Sequence, residues 1–295
     1  MKHYKRKYLV IILFILFSFA CKNPAAEPDK FTALAIYLDK CQEGESGNPV
    51  KLKIVLDSEK DWEGLMLTIA YKGKYVDLDL SNSSGPLEFK LGSYPKGFSL
   101  ITKLILPAFS ESIVPSAAYN TEIDNFRYLK EVSGASIRSI GEYVFINSIS
   151  LEKAVFPELE IIEKFAFENC SSLTEIDLPH VTYIGESAFK DCTDLASVAL
   201  PKSLLQIGDS AFRNCISLPS INIPNNVTSI GNYTFYLCNK LNSVTFSSTI
   251  NINNFSTNFA FNGDLRTKYL AVNGGPGTYT TRNPSSTSAI WSKQE

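Results

Sequence analysis

Apolar residues repeat at a fixed spacing along the middle of the chain. An isoleucine is followed five residues later by a phenylalanine, and in most copies a cysteine comes three residues after that. Successive isoleucines are 22, 22, 23 and 23 residues apart. Such an in-phase array predicts stacked coils that bury one another's apolar side chains. The columns are Ile140, Ile162, Ile184, Ile207 and Ile230, then Phe145, Phe167, Phe189, Phe212 and Phe235, then Cys170, Cys192, Cys215 and Cys238.

A second pattern, L-x-x-[IV]-x-[LI]-P, lies between these anchors at residues 173–179, 195–201 and 218–224, with a looser copy at 151–157. Its apolar positions alternate with outward positions, as in a half-buried strand. The additional residue of the longer copies comes just after the proline, where a turn tolerates a change of length. Each coil should therefore contain a strand followed by a turn.

A glycine follows the isoleucine in four of the five copies, at Gly141, Gly185, Gly208 and Gly231. This column predicts either a turn with positive φ or a close approach of two backbones. Glu163 replaces the glycine in the remaining copy, and local strain is expected in that coil.

The residues before the array combine helical and strand patterns. Helical spacing occurs at residues 31–42 and again after a capping box that begins at Ser58, and strand-like alternation occurs at residues 51–56 and 74–80. We therefore expect a small α/β N-terminal cap, with degenerate first repeats, over residues 31–97.

The repeats extend over residues 98–247 and decay beyond them. A short helical pattern at residues 264–271, a glycine-rich turn and two β-prone runs, TYTT and AIW, follow. We expect residues 248–295 to form a C-terminal cap, because the last coil of an array would otherwise expose its core. The predicted fold class is an α/β repeat solenoid, mostly strand and loop.

The first residues are typical of an export signal. Residues 1–20 combine a basic start with an apolar run too short for a comfortable membrane span. The Ser-Phe-Ala-Cys sequence that ends at Cys21 resembles the lipobox of bacterial lipoproteins, with Ser18 where leucine is usual. We expect Cys21 to be acylated and residues 21–30 to form a polar tether. The alternative is ordinary cleavage of a secreted protein.

The charge of the mature chain is mildly acidic. Residues 1–20 contain four of the 28 basic residues and no acidic residue, which leaves 24 basic against 30 acidic residues, or a net charge of −6. This balance argues against nucleic acid or anionic lipid as the main partner. Any membrane association is expected to come from the N-terminal lipid.

The cysteine column allows two interpretations in an exported protein. Equivalent positions of stacked coils lie at about 4.8 Å, within the Cα separation that a disulfide requires. The simpler interpretation is a column of buried free thiols that fill one slot in each coil. Metal binding is not expected, because the cysteines are a coil apart and no histidine column accompanies them.

The combined phrase, L-x-x-[IV]-x-[LI]-P followed by [VL]-x-x-I-G-x-x-A-F-x-x-C, resembles the BspA-like, treponemal-type leucine-rich repeat over residues 101–246. The resemblance implies a surface-exposed lipoprotein of host-associated bacteria, with adhesion to host matrix proteins or other cells in some members. One departure from the general leucine-rich pattern is that Val181, Leu204 and Val227 stand where Asn or Cys is expected. The transition from strand to loop should therefore be satisfied differently here.

The outward positions of the strands define a candidate binding face for protein partners. Between the core-facing positions, the side chains are charged in the earlier coils and small or hydroxyl-bearing in the later ones, a surface suited to extended protein contact. The candidate residues are Lys153, Val155, Glu175, Asp177, Ser197, Ala199, Ser220, Asn222, Ser243 and Thr245.

An enzymatic function is not predicted. His180, the one histidine of the mature chain, lies in a repeat turn without a partner column, and no nucleophile motif or phosphate-binding loop is present. No cofactor is expected. The alternative to adhesion is a structural role, in which acylated solenoids pack laterally into a surface layer.

Overall fold

The computed structural model describes most of the chain after the predicted tether. The predicted signal peptide and Cys21 lie outside the described residues. These are 30–84, 88–91, 97–115, 126–256 and 258–295.

The helices of the described chain lie mainly at its two ends. Ser58 caps the second helix by accepting a hydrogen bond from the Asp61 N–H, as the sequence predicted, and Gly73 ends the helix with a φ of 62°. The first helix ends two residues earlier than expected. The helices are α1 (Lys30–Lys40), α2 (Glu59–Lys72) and α3 (Leu265–Leu270), with short 3-10 turns at Phe98–Leu100 and Ile252–Asn254.

One side of every coil contributes a strand to a first layer of parallel strands. Most of these strands come from the L-x-x-[IV]-x-[LI] phrase and from its degenerate N-terminal copies, and the last two come from the C-terminal residues. Hydrogen bonding divides the layer into groups of five, two and four strands, the last of which includes two antiparallel strands. The strands are β1 (Val50–Lys53), β2 (Val76–Asp79), β4 (Ile101–Ile105), β6 (Glu131–Ser133), β8 (Lys153–Val155), β10 (Glu175–Asp177), β12 (Ser197–Ala199), β14 (Ser220–Ile223), β16 (Ser243–Phe246), β17 (Gly277–Thr280) and β18 (Ser292–Lys293).

Seven short strands form a second parallel sheet, and each of the last five strands ends at a residue of the isoleucine column. Its strands run in register from coil to coil, so that Ile140, Ile162 and Ile184 are direct neighbours. The strands are β3 (Glu88–Lys90), β5 (Ser112–Val114), β7 (Ser139–Ile140), β9 (Ile161–Ile162), β11 (Tyr183–Ile184), β13 (Gln206–Ile207) and β15 (Ser229–Ile230). The molecule is thus a parallel β-solenoid of about 8 turns with little helix, which confirms the predicted fold class.

A continuous file of aromatic rings occupies the core. Neighbouring rings of the phenylalanine column stack with centroids 5.3 Å apart, and between Phe212 and Phe235 the planes differ by only 1°. The file extends at both ends of the column, because Phe126 contacts Phe145 and Phe261 stacks on Phe235 at 5.0 Å. Each such pair contributes about 0.5–1.5 kcal/mol beyond simple burial.

The sheets begin earlier in the chain than the repeat pattern does. Strands β1 and β2 pair in parallel with each other, and β2 pairs in parallel with β4, although β1 and β2 belong to the segment expected to form the cap. Predicted strand 51–56 is shorter than expected, since β1 ends at Lys53. The positions that depart from the general leucine-rich pattern are apolar and buried, and fill the core at Val181, Leu204 and Val227.

The C-terminal residues return along the last repeat strand. Strand β17 pairs antiparallel with β16 and then with β18. The predicted AIW strand is shifted: Ala289 and Trp291 are buried, and the strand itself is β18. The Trp291 indole donates a hydrogen bond to the Asn262 carbonyl, which fixes this segment against the array.

The glycine column marks a close approach of neighbouring coils. The four glycines are absent from the residues with positive φ. A Cβ on Gly208 would lie 2.6 Å from the Glu186 nitrogen and 2.7 Å from the Gly185 carbonyl carbon, well inside contact distance. Glu163 does not have a positive φ either, so the strain expected in its coil does not take the form of a left-handed backbone.

We predict that Gly208→Ala lowers the free energy of unfolding by about 1–3 kcal/mol, because its methyl group would press on the backbone of the preceding coil. Gly47→Ala is the matched control, since nothing lies within 4 Å of its Cβ position. Urea unfolding followed by circular dichroism measures both. Equal midpoints for the two variants would contradict the close-approach explanation.

Candidate interaction surfaces

The sheet face comprises the outward side chains of the first strand layer, and it contains all of the predicted candidate residues. Lys153, Val155, Glu175 and Asp177 are exposed, and so are Ser197, Ala199, Ser220 and Asn222. The pairing register brings Glu175 beside Ser197 and Ser220 beside Ser243. The structure therefore gathers these positions on one surface, while their role in binding stays a prediction.

The last two candidate residues are partly covered. Strand β17 lies beside Ser243 and Thr245, and the hydroxyl oxygens of Thr245 and Thr278 are 2.9 Å apart. Both candidate residues are only intermediate in exposure. The accessible sheet face therefore narrows toward its C-terminal end.

Charges alternate along the first column of the sheet face. Lys51 pairs in register with Asp77, Asp77 with Lys103, Lys103 with Glu131 and Glu131 with Lys153. Lys103 and Glu131 form an ion pair, and Lys53 and Asp79 of the adjacent column form another at 3.0 Å. This part of the sheet face thus neutralises its own charges, a feature that the sequence pattern does not reveal because the first coils have uneven lengths.

The turn face lies on the side of each coil that follows the second sheet, and its backbone alternates in handedness. Every coil from residue 140 onward has two left-handed residues, four positions apart. The first of each pair forms the column Tyr143, Phe165, Ser187, Ser210, Tyr233 and Phe259, and the second forms the column Asn147, Asn169, Asp191, Asn214, Leu237 and Gly263.

The two left-handed residues of a coil and the residue midway between them form a third hydrogen-bonded ladder between coils. The N–H groups of Phe165, Phe167 and Asn169 donate to carbonyls of the next coil at distances of 2.8–2.9 Å, and the same three positions do so in neighbouring coils. Positive φ is readily accepted by Gly, Asn and Asp but disfavours bulky residues. The second column follows that preference in most coils, whereas the first column contains four aromatic residues.

Polar side chains continue the ladder on the turn face. The Asn169 amide donates to the Asn147 side-chain oxygen, and the Asn214 amide donates to Asp191, both at 2.9 Å. The hydrogen bond from the Lys190 ammonium to the carboxylate of Glu168, at 2.6 Å, raises the pKa of Lys190. The middle of the turn face is thus occupied by side chains already paired with one another.

The repeat cysteines are buried free thiols. Each Sγ donates to the carbonyl of the phenylalanine in the preceding coil, as Cys192 does to Phe167 at 3.2 Å. Burial raises the pKa of every thiol in the column, and that of Cys238 to about 12. Ser148 holds the equivalent position one coil earlier, and its buried hydroxyl has no hydrogen-bond partner. The free-thiol interpretation is therefore the one that the structure supports.

The remaining features considered in the sequence are the single histidine of the mature chain, metal ligands and membrane-spanning segments. His180 is exposed in the turn after β10. Within the described ranges, no three His, Cys, Asp or Glu side chains are grouped as metal ligands. Over the same ranges, no helix is both long and apolar enough to span a membrane.

Stacked parallel coils with in-phase leucine and isoleucine columns define a leucine-rich repeat solenoid. Residues 160–270 match, in six copies, the family described as BspA type leucine-rich repeat region. Residues 160–270 therefore carry BspA-type leucine-rich repeats, which confirms over that range the resemblance found in the sequence. The matched region continues beyond residue 247, where the clear phrase was expected to end.

Several solved structures are similar to this chain over part of their length. A leucine-rich cell surface protein of Faecalibacterium prausnitzii A2-165 is 27% identical over 56% of this chain and 45% of that chain, with a TM-score of 0.45. A leucine-rich repeat protein of Eubacterium ventriosum is 20% identical over 63% and 58%, with a TM-score of 0.41. The leucine-rich repeat protein of T. pallidum is 25% identical over 54% and 59%, with a TM-score of 0.29. The chain thus spans about half the length of these structures. None of the curated proteins matches it.

We predict that stability falls as the pH rises above about 9, because the raised pKa values keep the thiols protonated in the folded state while unfolded thiols ionise. The thiols contribute fully to the free energy of unfolding below the pKa that they have in the unfolded chain. This contribution is lost as the pH approaches the pKa that they have in the folded protein. Each thiol contributes a slope of up to about 1.4 kcal/mol per pH unit between these limits. Urea unfolding at pH 8, 9 and 10 measures it.

The matched variant for this prediction is Cys238→Ala, whose unfolding free energy should fall less steeply with pH than that of the wild type. The difference in slope isolates the thiol from the tyrosines and lysines that titrate in the same range. Identical slopes would show that Cys238 is not shielded from ionisation in the folded protein.

Proposed function

We propose that this protein is a non-enzymatic adhesin whose solenoid binds other proteins, such as host matrix proteins or proteins of other cells. The observation that supports this most directly is the sheet face, where eight exposed candidate side chains lie on stacked strands. Stacked repeat strands lengthen such a surface one coil at a time, so the surface suits a long protein contact. The leucine-rich repeat family itself suggests a protein-interaction repeat protein without enzymatic activity.

The chemistry of the sheet face supports a polar, specific contact. Its earlier coils bear charges that are already paired along the strands, and its later coils bear serine, alanine and asparagine. Surface ion pairs contribute little net free energy and screen one another, so binding should depend weakly on salt. The small residues of β12 and β14 leave space for side chains from the partner.

We expect soluble protein from Lys22 onward to bind immobilised fibronectin, fibrinogen or epithelial cells in a saturable and salt-tolerant manner. The variant Ser197→Arg with Ser220→Arg should weaken that binding at least tenfold, because two long charged side chains would block contact with the face. Surface plasmon resonance at 0.15 M and 0.5 M salt measures the affinities.

The control for this experiment is Gln206→Arg, which adds the same charge to an exposed position of the second sheet. It should bind like the wild type. If the wild type binds no protein across a broad matrix panel yet assembles with itself, the structural surface-layer function would replace adhesion. If the control and the sheet-face variant bind equally well, the ligand contacts another surface.

We further propose that Cys21 is acylated after export and anchors the protein to the bacterial membrane, with the solenoid exposed at the cell surface. The support is the signal-like segment before Cys21 and the polar residues that follow it. One acyl chain alone gives weak anchoring, so stable attachment would require the several chains of a lipoprotein.

Metabolic labelling with a palmitate analogue tests the anchor. The wild type should be labelled and found in the membrane fraction, and Cys21→Ser should lose both properties. Cys41→Ser is a suitable control, since it removes a cysteine of the folded part and should keep the label. Equal labelling of Cys21→Ser and the wild type would refute acylation at this position.

A further inference from the structure

An aromatic cluster lies on the turn face of the last coils, away from the candidate sheet face. It comprises Tyr233, Tyr236 and Phe259, whose ring centroids are 5.7–6.2 Å apart. Tyr233 and Phe259 are 36% and 54% exposed. The Arg213 guanidinium lies 5.8 Å from the centroid of the Tyr236 ring. Tyrosine and arginine are enriched in binding hot spots.

The backbone conformation does not account for these aromatic residues. Tyr233 and Phe259 have φ values of 56° and 42°, in the left-handed region where bulky side chains are unfavourable. Ser187 and Ser210 occupy the same column with φ values of 54° and 57°, so a small residue satisfies the coil equally well. Burial does not account for the rings either, because they remain exposed. Strained residues of this kind concentrate where the side chain serves binding.

The N–H groups of the backbone beneath Tyr233 are already paired and are not available to a ligand strand. The N–H of Tyr233 donates to Asn258, that of Phe235 to Ala260, and that of Leu237 to the side-chain oxygen of Asn262. A ligand that adds a β-strand needs unpaired backbone groups, so this mode of recognition is excluded at the coil of Tyr233. Contact with this coil must be made through the side chains.

The shape of the cluster also argues against a helical ligand. The aromatic column is interrupted at Ser210, so the cluster spans only two coils, about 5 Å apart. A bound amphipathic helix uses anchors along two or more turns, about 11 Å. The rings are tilted by 20°, 51° and 70° to one another, so they present faces and edges in several directions over a short span. Prolyl rings of a polyproline II segment pack against exposed aromatic side chains of this kind.

We propose that the aromatic cluster binds a proline-rich polypeptide segment in the polyproline II conformation, with a carboxylate next to the prolines. Within the part of the chain that the structure describes, Arg213 forms no ion pair, so its guanidinium is available to that carboxylate. The Tyr233 and Tyr236 hydroxyls can donate to ligand carbonyls, which polyproline II leaves without internal partners. The inference rests on the proposed function only in taking a polypeptide as the ligand.

Fluorescence anisotropy tests this proposal with the full chain carrying Cys21→Ser. The probe is a dye-labelled peptide of nine prolines followed by two aspartates, and the comparison peptide replaces the prolines with glycine and serine. The proline peptide should bind saturably and at least tenfold more tightly than the glycine-serine peptide. Equal binding of the two peptides, or no binding of either, would overturn the proposal.

The decisive variant is Tyr233→Ser with Phe259→Ser, which places in the cluster the residue that already occupies the same column at Ser187 and Ser210. This double variant should bind the proline peptide at least tenfold more weakly than the wild type while the chain stays folded. Arg213→Gln should lower the affinity for the acidic proline peptide several-fold. It should leave the affinity for a nonaproline peptide without aspartates unchanged.

The matched control is Leu205→Thr. Leu205 is an exposed apolar residue of the same solenoid, and Thr182 and Thr228 occupy its position in the neighbouring coils. The Leu205→Thr variant should bind the proline peptide with the same affinity as the wild type. Wild-type affinity in the Tyr233 and Phe259 variant would refute the site. If matrix proteins still bind while the proline peptide does not, this inference fails and the proposed adhesion stands.

Discussion

Hydrogen bonding between successive coils is the constraint on which the rest of this structure depends. A coil of 22 or 23 residues offers too few apolar side chains to offset the entropy lost on ordering it. Three ladders of backbone hydrogen bonds, two from the sheets and one from the turn face, tie each coil to the next. The ladders set a short and constant separation, and Gly208 follows from it because a Cβ there would meet the preceding backbone. The file of stacked rings and the column of small thiols fit the same separation.

Features that repeat in every coil could be predicted from the sequence, since periodicity shows which side chains are stacked. This is why the aligned phenylalanines, the buried cysteines and the outward residues of β10 and β12 are found where expected. The left-handed residues could not be predicted in the same way, because Tyr233 and Phe259 are poor indicators of positive φ. The Asn and Asp residues of the second column were the available signal.

Contacts between segments far apart in the sequence could not be predicted from periodicity either. The partial covering of Ser243 and Thr245 depends on β17, which returns from more than thirty residues downstream. The alternating charges from Lys51 to Lys153 become visible only when the pairing register is known. These two features change the sheet face from a uniform surface into one that is neutralised at one end and narrowed at the other.

The ladder on the turn face has a direction, and the two ends of the solenoid therefore differ electrically. Its N–H groups point toward the following coil throughout, from Tyr143 to Phe235. Aligned peptide dipoles add, as they do along a helix, so this edge of the molecule has partial positive charge at its C-terminal end. At Leu237 the N–H donates to the Asn262 side-chain oxygen, where the earlier coils use a backbone carbonyl. An array lengthened by further coils would carry a larger dipole along this edge.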